Sequence, residues 1–90
     1  MNKYYVTVGQ RYRQEQHPLF PRAHPDGWIT VHAESYNRAR EGVEQVLGEH
    51  WSVIYSELSF HKDYFPKGEV GAIRFYDTAG SWVATTGLFA

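Results

Sequence analysis

Histidine is the residue type in this chain with the most obvious capacity for chemistry. Five histidines occur among 90 residues, and two of them, His17 and His24, lie in one segment with Glu15 and Asp26 beside them. Imidazole and carboxylate groups together can bind a transition metal. Ligands on one element usually recur at short spacing, such as two histidines four apart on a helix. His17 and His24 are seven apart and each precedes a proline, so we predict no metal site and no cofactor.

General acid–base catalysis is the second chemistry that these side chains could support. It needs two titratable groups with different pKa values in one pocket, and His24, Asp26, His32 and His61 are candidates. The sequence has no glycine-rich phosphate loop before a helix, no Gly-x-Ser-x-Gly nucleophile elbow and no recognisable carboxylate pair. Asp26 is explained by its position in a His-Pro-Asp-Gly turn. We therefore expect no enzyme and no catalytic residue.

Nucleic-acid or nucleotide binding is a third possibility, which stays open. Arg11, Arg13 and Arg22 could contact phosphates, while Tyr5 or Trp28 could stack on bases. The net charge is −1, although the first 40 residues carry an excess of three positive charges and the remainder an excess of four negative ones. The sequence has no Gly-x-x-Gly clamp, no RNP-type strand and only one predicted helix, which excludes a helix-turn-helix pair.

Length and composition indicate one folded domain spanning residues 1–90. The chain is 42% hydrophobic and 17% aromatic, unlike a disordered sequence, and 90 residues suffice for only one core. It has no cysteine, which excludes disulfides and thiolate metal sites. No secretion signal and no apolar run of membrane-spanning length is found, so we expect a cytoplasmic protein with no membrane association.

Hydrophobic periodicity predicts the order ββαβββ. Alternation of apolar and polar residues predicts strands at residues 3–12 and 28–34, and further strands are predicted at 51–60, 70–76 and 81–86, the last two joined by a turn at 77–80. Ser35 can cap a helix whose apolar stripe runs from Tyr36 to Leu47 and which ends at Gly48. The predicted fold is α+β, with this helix on one face of a four- or five-stranded, mainly antiparallel sheet.

In the predicted fold, the sheet face opposite the helix is a candidate binding surface. Tyr5, Trp28 and His32 should lie on it, with Trp82 as a further candidate, so a partner protein or a second copy of the chain could cover it. The alternative cover is the chain's own C-terminal segment, residues 86–90. Phe20, between Pro18 and Pro21, could either fix the long loop to the sheet or present a hydrophobic contact to a partner.

Several short motifs resemble small uncharacterised proteins encoded by bacteriophages of actinobacteria. These motifs are Val8-Gly9-Gln10-Arg11-Tyr12 with His17-Pro18, His24-Pro25-Asp26-Gly27-Trp28, Ala39-Arg40 with Leu47-Gly48 and Tyr55, and Tyr64-Phe65-Pro66-Lys67-Gly68-Glu69. The resemblance covers residues 4–71, and nothing after Asp77 contributes to it. That family has no assigned activity, so the resemblance carries over no functional residue. A phage accessory protein that lacks catalytic motifs is expected to act by binding, in the host cytoplasm.

The sequence therefore predicts a non-catalytic interaction module that binds a host or phage protein, with homodimerisation as a further expectation. Nucleic-acid or nucleotide binding and a small virion or assembly role are the alternatives. The predicted binding residues are Tyr5, Arg11, Arg13, Phe20, Arg22, His24, Trp28 and His32.

Overall fold

The helix and strands occur in the predicted order, ββαβββ. The computed structural model describes residues 2–76 and 81–85. The elements are β1 (Asn2–Thr7), β2 (Gly27–Ala33), α1 (Tyr36–Leu47), β3 (Val53–Ser56), β4 (Gly68–Tyr76) and β5 (Ser81–Thr85). The predicted turn at residues 77–80 and the C-terminal residues 86–90 lie outside the described part of the chain.

The strands form one sheet in the order β3-β1-β2-β4-β5. β1 pairs antiparallel with both β2 and β3, and β5 pairs antiparallel with β4, whereas β2 and β4 run parallel. The sheet is therefore mixed but mainly antiparallel. Because β3 is antiparallel to β1, and β1 to β2, the strands β2, β3 and β4 all share one direction. Parallel strands cannot be joined by a tight hairpin, so the chain needs a long connection after β2 and another after β3.

Helix α1 provides the first of these connections, and its ends match the sequence prediction. The Ser35 hydroxyl accepts a hydrogen bond from the Arg38 backbone N–H at 3.2 Å, which satisfies one of the unpaired donors of the first turn. At the other end Gly48 has a φ of 61°, which favours glycine, and donates to the Glu44 carbonyl. The buried side of the helix carries Ala39, Gly42, Val43 and Leu47.

The core lies between α1 and the sheet, and the loop between β1 and β2 closes one end of it. β1 contributes Tyr4 and Val6, while β2 contributes Ile29, Val31 and Ala33. From the loop, Val8, Tyr12, Phe20 and Ala23 join the same cluster. Phe20 is fully buried. Of the two predicted roles of Phe20, the structure therefore supports fixing the loop, and the prediction that it contacts a partner is wrong.

The first and third strands are shorter than predicted. Alternation continues to Tyr12, but β1 ends at Thr7 and Gln10–Arg13 form a 3₁₀ turn. Tyr12 is buried because it packs inside the loop rather than because it belongs to a strand. β3 covers only Val53–Ser56, since the chain leaves the sheet edge in a turn after Ser56.

The sheet face opposite the helix is covered by the connection from β3 to β4. Phe60 in this connection stacks on Tyr5, with 4.8 Å between ring centroids, and Phe65 stacks on Phe60 at the same distance. Tyr5 is 2% exposed and Phe60 8%. The expected open aromatic face is therefore closed by the chain's own rings. Trp82 does not belong to this face, because it packs against Gly42 of α1.

Candidate functional site on the sheet face opposite the helix

A row of three basic side chains crosses three adjacent strands at one end of this face. Lys3 on β1 lies directly opposite His32 on β2, and His32 lies directly opposite Arg74 on β4. We call these three residues the basic row. Neighbouring strands are about 4.8 Å apart, so the row spans about 10 Å. Within residues 2–76 and 81–85, neither Lys3 nor Arg74 forms a salt bridge.

An open depression of about 250 Å³ adjoins the row. It is lined by Lys3, Tyr5, Trp28, Thr30, His32, Lys62 and Glu69, and we call it the basic depression. The Lys62 ammonium lies 5.2 Å from the centroid of the Tyr5 ring and 5.8 Å from that of Trp28, within range of a cation–π interaction. The Trp28 indole N–H donates to the Thr30 hydroxyl at 3.2 Å. These contacts fix an aromatic floor beneath a positively charged rim.

The electrostatic environment of His32 reflects the charge of the row. Burial lowers the pKa of His32, and the charges of Arg74 and Lys3 lower it further, while Glu69 acts in the opposite direction. Like charges on directly opposed strand positions repel each other. His32 is therefore mainly neutral at pH 7, and an anion bound beside it would favour its protonated form.

Two of the predicted binding arginines, Arg11 and Arg13, lie on the long loop and already have partners. Arg13 donates to both carboxylate oxygens of Asp26, at 3.3 and 3.4 Å. This hydrogen bonding is the main reason that the pKa of Asp26 is lowered. Arg11 forms a salt bridge with Glu15 and lies over the ring of Tyr12. The structure does not bring these arginines together with Trp28 into a phosphate-and-base site.

His24 and Arg22 also lie apart from the basic depression. The His24 Nδ1 atom accepts a hydrogen bond from the Asp26 backbone N–H at 3.0 Å, so this ring stabilises the turn before β2. Arg22 is exposed and lines a second depression with Lys67, Glu69 and Val70. Glu69 borders both depressions. Of the eight predicted binding residues, three line the basic depression: Tyr5, Trp28 and His32.

Sequence reasoning missed Lys3, Lys62 and Arg74. Arg74 lies beside His32 only because β2 pairs with β4, and that pairing joins residues 42 positions apart. No local pattern indicates it. Lys3 could have been found, because residues 3 and 5 share a face in any strand that contains Tyr5.

The dense histidines of the long loop serve the fold. His17 is 1% exposed, its Nε2 atom donates to the His50 carbonyl at 2.8 Å, and its Nδ1 atom accepts from the backbone N–H groups of Leu19 and Phe20. Both ring nitrogens are therefore occupied, with Nδ1 unprotonated. No group of three or more potential metal-binding histidine, aspartate or glutamate side chains is found in the described part of the chain.

No helix among the described residues has the length and apolar character needed to cross a membrane. Comparisons with protein-family models, with curated proteins and with solved structures find no match for this chain. The resemblance to actinobacterial phage proteins therefore stays a prediction.

Proposed function

We propose that this chain is a non-catalytic interaction module that binds an acidic segment of a partner protein at the basic depression and the basic row. The observation that carries this proposal is the placement of Lys3, His32 and Arg74 side by side on three adjacent strands. Among the described residues, Glu69 is the only acidic side chain that lines the basic depression. Carboxylates of a partner would pair with Lys3 and Arg74 and would favour protonation of His32, and such charge complementarity gives specificity and a fast association rate.

The dimensions of the site support a macromolecular partner over a small metabolite. The volume of about 250 Å³ lies below the roughly 300–1,000 Å³ of typical small-molecule pockets. It suits one or two carboxylate side chains of a longer segment. An extended segment could place further carboxylates along the basic row. Without such a partner the basic row would lie in solvent.

A protein partner is favoured over nucleic acid because the aromatic rings are already engaged. Base stacking requires an accessible ring face, but Tyr5 and Phe60 stack on each other and are almost fully buried. Trp28 is half-buried and lies in edge-to-face contact with both rings. The resemblance to phage accessory proteins agrees with a binding role, directed at a host or phage protein.

A nuclear magnetic resonance titration with a decaglutamate peptide tests the proposal. We expect amide shifts concentrated at Lys3, His32 and Arg74, and binding that weakens as salt is added because exposed charges are screened. Arg74→Gln should reduce the affinity about three- to tenfold. The matched control is Arg40→Gln, which removes the same charge from the exposed side of α1, where Arg40 pairs with Glu44, and should leave the affinity unchanged.

The same titration carries a pH test of the role of His32. His32 is the member of the basic row that titrates near neutral pH, and its pKa is lowered, so acidification from pH 7.5 to below its ordinary value of about 6.5 adds positive charge to the row and should tighten binding. His32→Gln should remove this response. Amide shifts confined to α1, or equal losses of affinity in Arg74→Gln and Arg40→Gln, would contradict the proposal. Tighter binding of a decathymidine oligonucleotide through the same residues would favour nucleic acid instead.

A further inference from the structure

Strand β3 is an open edge of the sheet. It pairs with β1 on one side only. Within residues 2–76 and 81–85, the backbone groups of Val53, Ile54 and Tyr55 make no hydrogen bond to any loop. In an edge strand, alternate N–H and C=O groups point away from the sheet and can pair with another strand.

The edge lacks the charge and the proline with which proteins usually block such pairing. Residues 52–56 read Ser-Val-Ile-Tyr-Ser, without a charged residue or a proline. Apolar surface lies at both ends of this segment: Val53 is 41% exposed and Leu58, just beyond the strand, is 99% exposed. The edge therefore combines backbone groups that are open to pairing with exposed apolar side chains at both of its ends.

The segment is complementary to itself in an antiparallel arrangement. A twofold axis that pairs two β3 strands antiparallel brings the end of one strand beside the start of the other. With Val53 opposite the partner's Ser56, the partner's turn at residues 57–59, which carries the exposed Leu58, begins beside Val53. Glu57 is the only charged residue between positions 51 and 60, and because it lies in that turn its two copies are at opposite ends of the paired strands.

We propose that two copies of this chain pair antiparallel through β3, which joins their five-stranded sheets into one continuous sheet of ten strands. This interface lies next to the basic row on one side, because Lys3 lines a further depression together with Glu57 and Leu58. It also differs from the dimer expected from the sequence, in which Tyr5 and Trp28 would form the contact. His32 and Arg74 lie on β2 and β4, away from this edge, so a dimer through β3 leaves them accessible to an acidic partner.

Sedimentation velocity across concentrations from about 5 µM to about 1 mM tests this proposal on the full chain. We expect a concentration-dependent dimer. Val53→Lys and Leu58→Lys each place a charge at the edge, as natural edge strands do, and should weaken self-association at least about tenfold. Both residues are exposed, so the variants should remain folded by circular dichroism. Leu19→Lys is the matched control, because Leu19 is 46% exposed on the long loop and should not affect the dimer.

Amide hydrogen exchange provides a second readout of the interface. In the dimer, amides of residues 53–56 should exchange more slowly at high protein concentration than at low concentration, while those of α1 should not change. A species of 10.5 kDa throughout the concentration range would overturn the proposal. A dimer that persists unchanged in both lysine variants would also overturn it, since the contact would then lie elsewhere. Neither result decides the decaglutamate titration, because amide shifts at His32 and Arg74 report on strands β2 and β4, away from this edge.

Discussion

The ring of Phe60 lies nearly parallel to the ring of Tyr5, at an interplanar angle of 22° with 4.8 Å between centroids. Phe65 also stacks on Phe60, with the same separation and angle. Trp28 and Tyr55 meet Phe60 from other directions, at 5.4 and 5.3 Å. Phe60 is thus the centre of the aromatic cluster that holds the β3–β4 connection against the sheet and positions Lys62 over the basic depression.

The central position of Phe60 predicts that its removal costs more than that of any neighbouring ring in the connection. Phe60→Ala should lower the free energy of unfolding by about 3–4 kcal/mol, since it deletes a buried ring and leaves a cavity. Tyr64→Ala is the control, because Tyr64 lies in the same connection but is 74% exposed, and its loss should stay within about 0.5 kcal/mol. Urea unfolding monitored by circular dichroism measures both values. Similar losses in the two variants would show that Phe60 does not anchor the connection.

The sequence predicted the helix and β2 well because their signals are local. Ser35 and Gly48 act within a few residues of α1 and have the predicted roles. The predicted stripe is buried at Ala39, Val43 and Leu47, whereas Tyr36 at its start is 43% exposed. The long alternation after Thr7 misled the strand prediction, because Tyr12 is apolar and buried in a loop. A period of two describes burial and cannot by itself distinguish a strand from a well-packed turn.

The candidate site was predicted only in part, because several of its residues come together through contacts between distant parts of the sequence. Tyr5, Trp28 and His32 were found because alternation within β1 and β2 places them on one face. Phe60 and Lys62 reach the same face through a connection whose path no local pattern specifies, and Arg74 reaches it through the parallel pairing of β2 with β4. The arginines of the long loop were predicted as binding residues because no pattern in the sequence shows that Arg13 pairs with Asp26.

The hydrogen bonds of His17 predict a pH dependence of stability. The pKa of His17 is lowered in the folded chain, mainly by burial. Protonation of Nδ1 would also break the two hydrogen bonds that this atom accepts from the backbone N–H groups of Leu19 and Phe20. A group whose folded pKa lies below its unfolded value, about 6.5, binds more protons when unfolded. Its stabilising contribution is therefore complete above pH 6.5 and is lost as the pH falls from 6.5 through the folded pKa.

Urea unfolding between pH 7.5 and pH 5 measures this dependence. The slope from one histidine can approach about 1.4 kcal/mol per pH unit. His17→Asn keeps a side-chain acceptor for the turn but cannot titrate, so it should flatten the slope even if it lowers the stability at pH 7.5. The pKa of His32 is lowered as well, and His32→Gln separates its contribution. An unchanged slope in His17→Asn would show that His17 does not couple folding to protons.

The packing of Gly42 against Trp82 predicts that alanine is destabilising at a helical position where it would normally stabilise. Replacing an interior helical glycine with alanine contributes about 1 kcal/mol of helix propensity. A Cβ atom at Gly42 would lie 2.6 Å from two carbon atoms of the Trp82 ring, so α1 or the ring must shift. Overpacking of this kind costs about 1–3 kcal/mol, which exceeds the gain in propensity. Gly42→Ala should therefore lower the unfolding free energy, by up to about 2 kcal/mol.

A double-mutant cycle with Trp82→Leu distinguishes the steric cause from any other. Leucine removes the six-membered ring that the new methyl group would meet, so Gly42→Ala in that background should cost little or should stabilise the chain through helix propensity. The expected coupling between the two changes is about 1–3 kcal/mol, within the range found for residues in direct contact. Gln45→Ala, on the exposed side of the same helix, controls for propensity alone and should stay within about 0.5 kcal/mol of the original chain. Additive effects of Gly42→Ala and Trp82→Leu would mean that the close packing of α1 on β5 does not set the cost at this position.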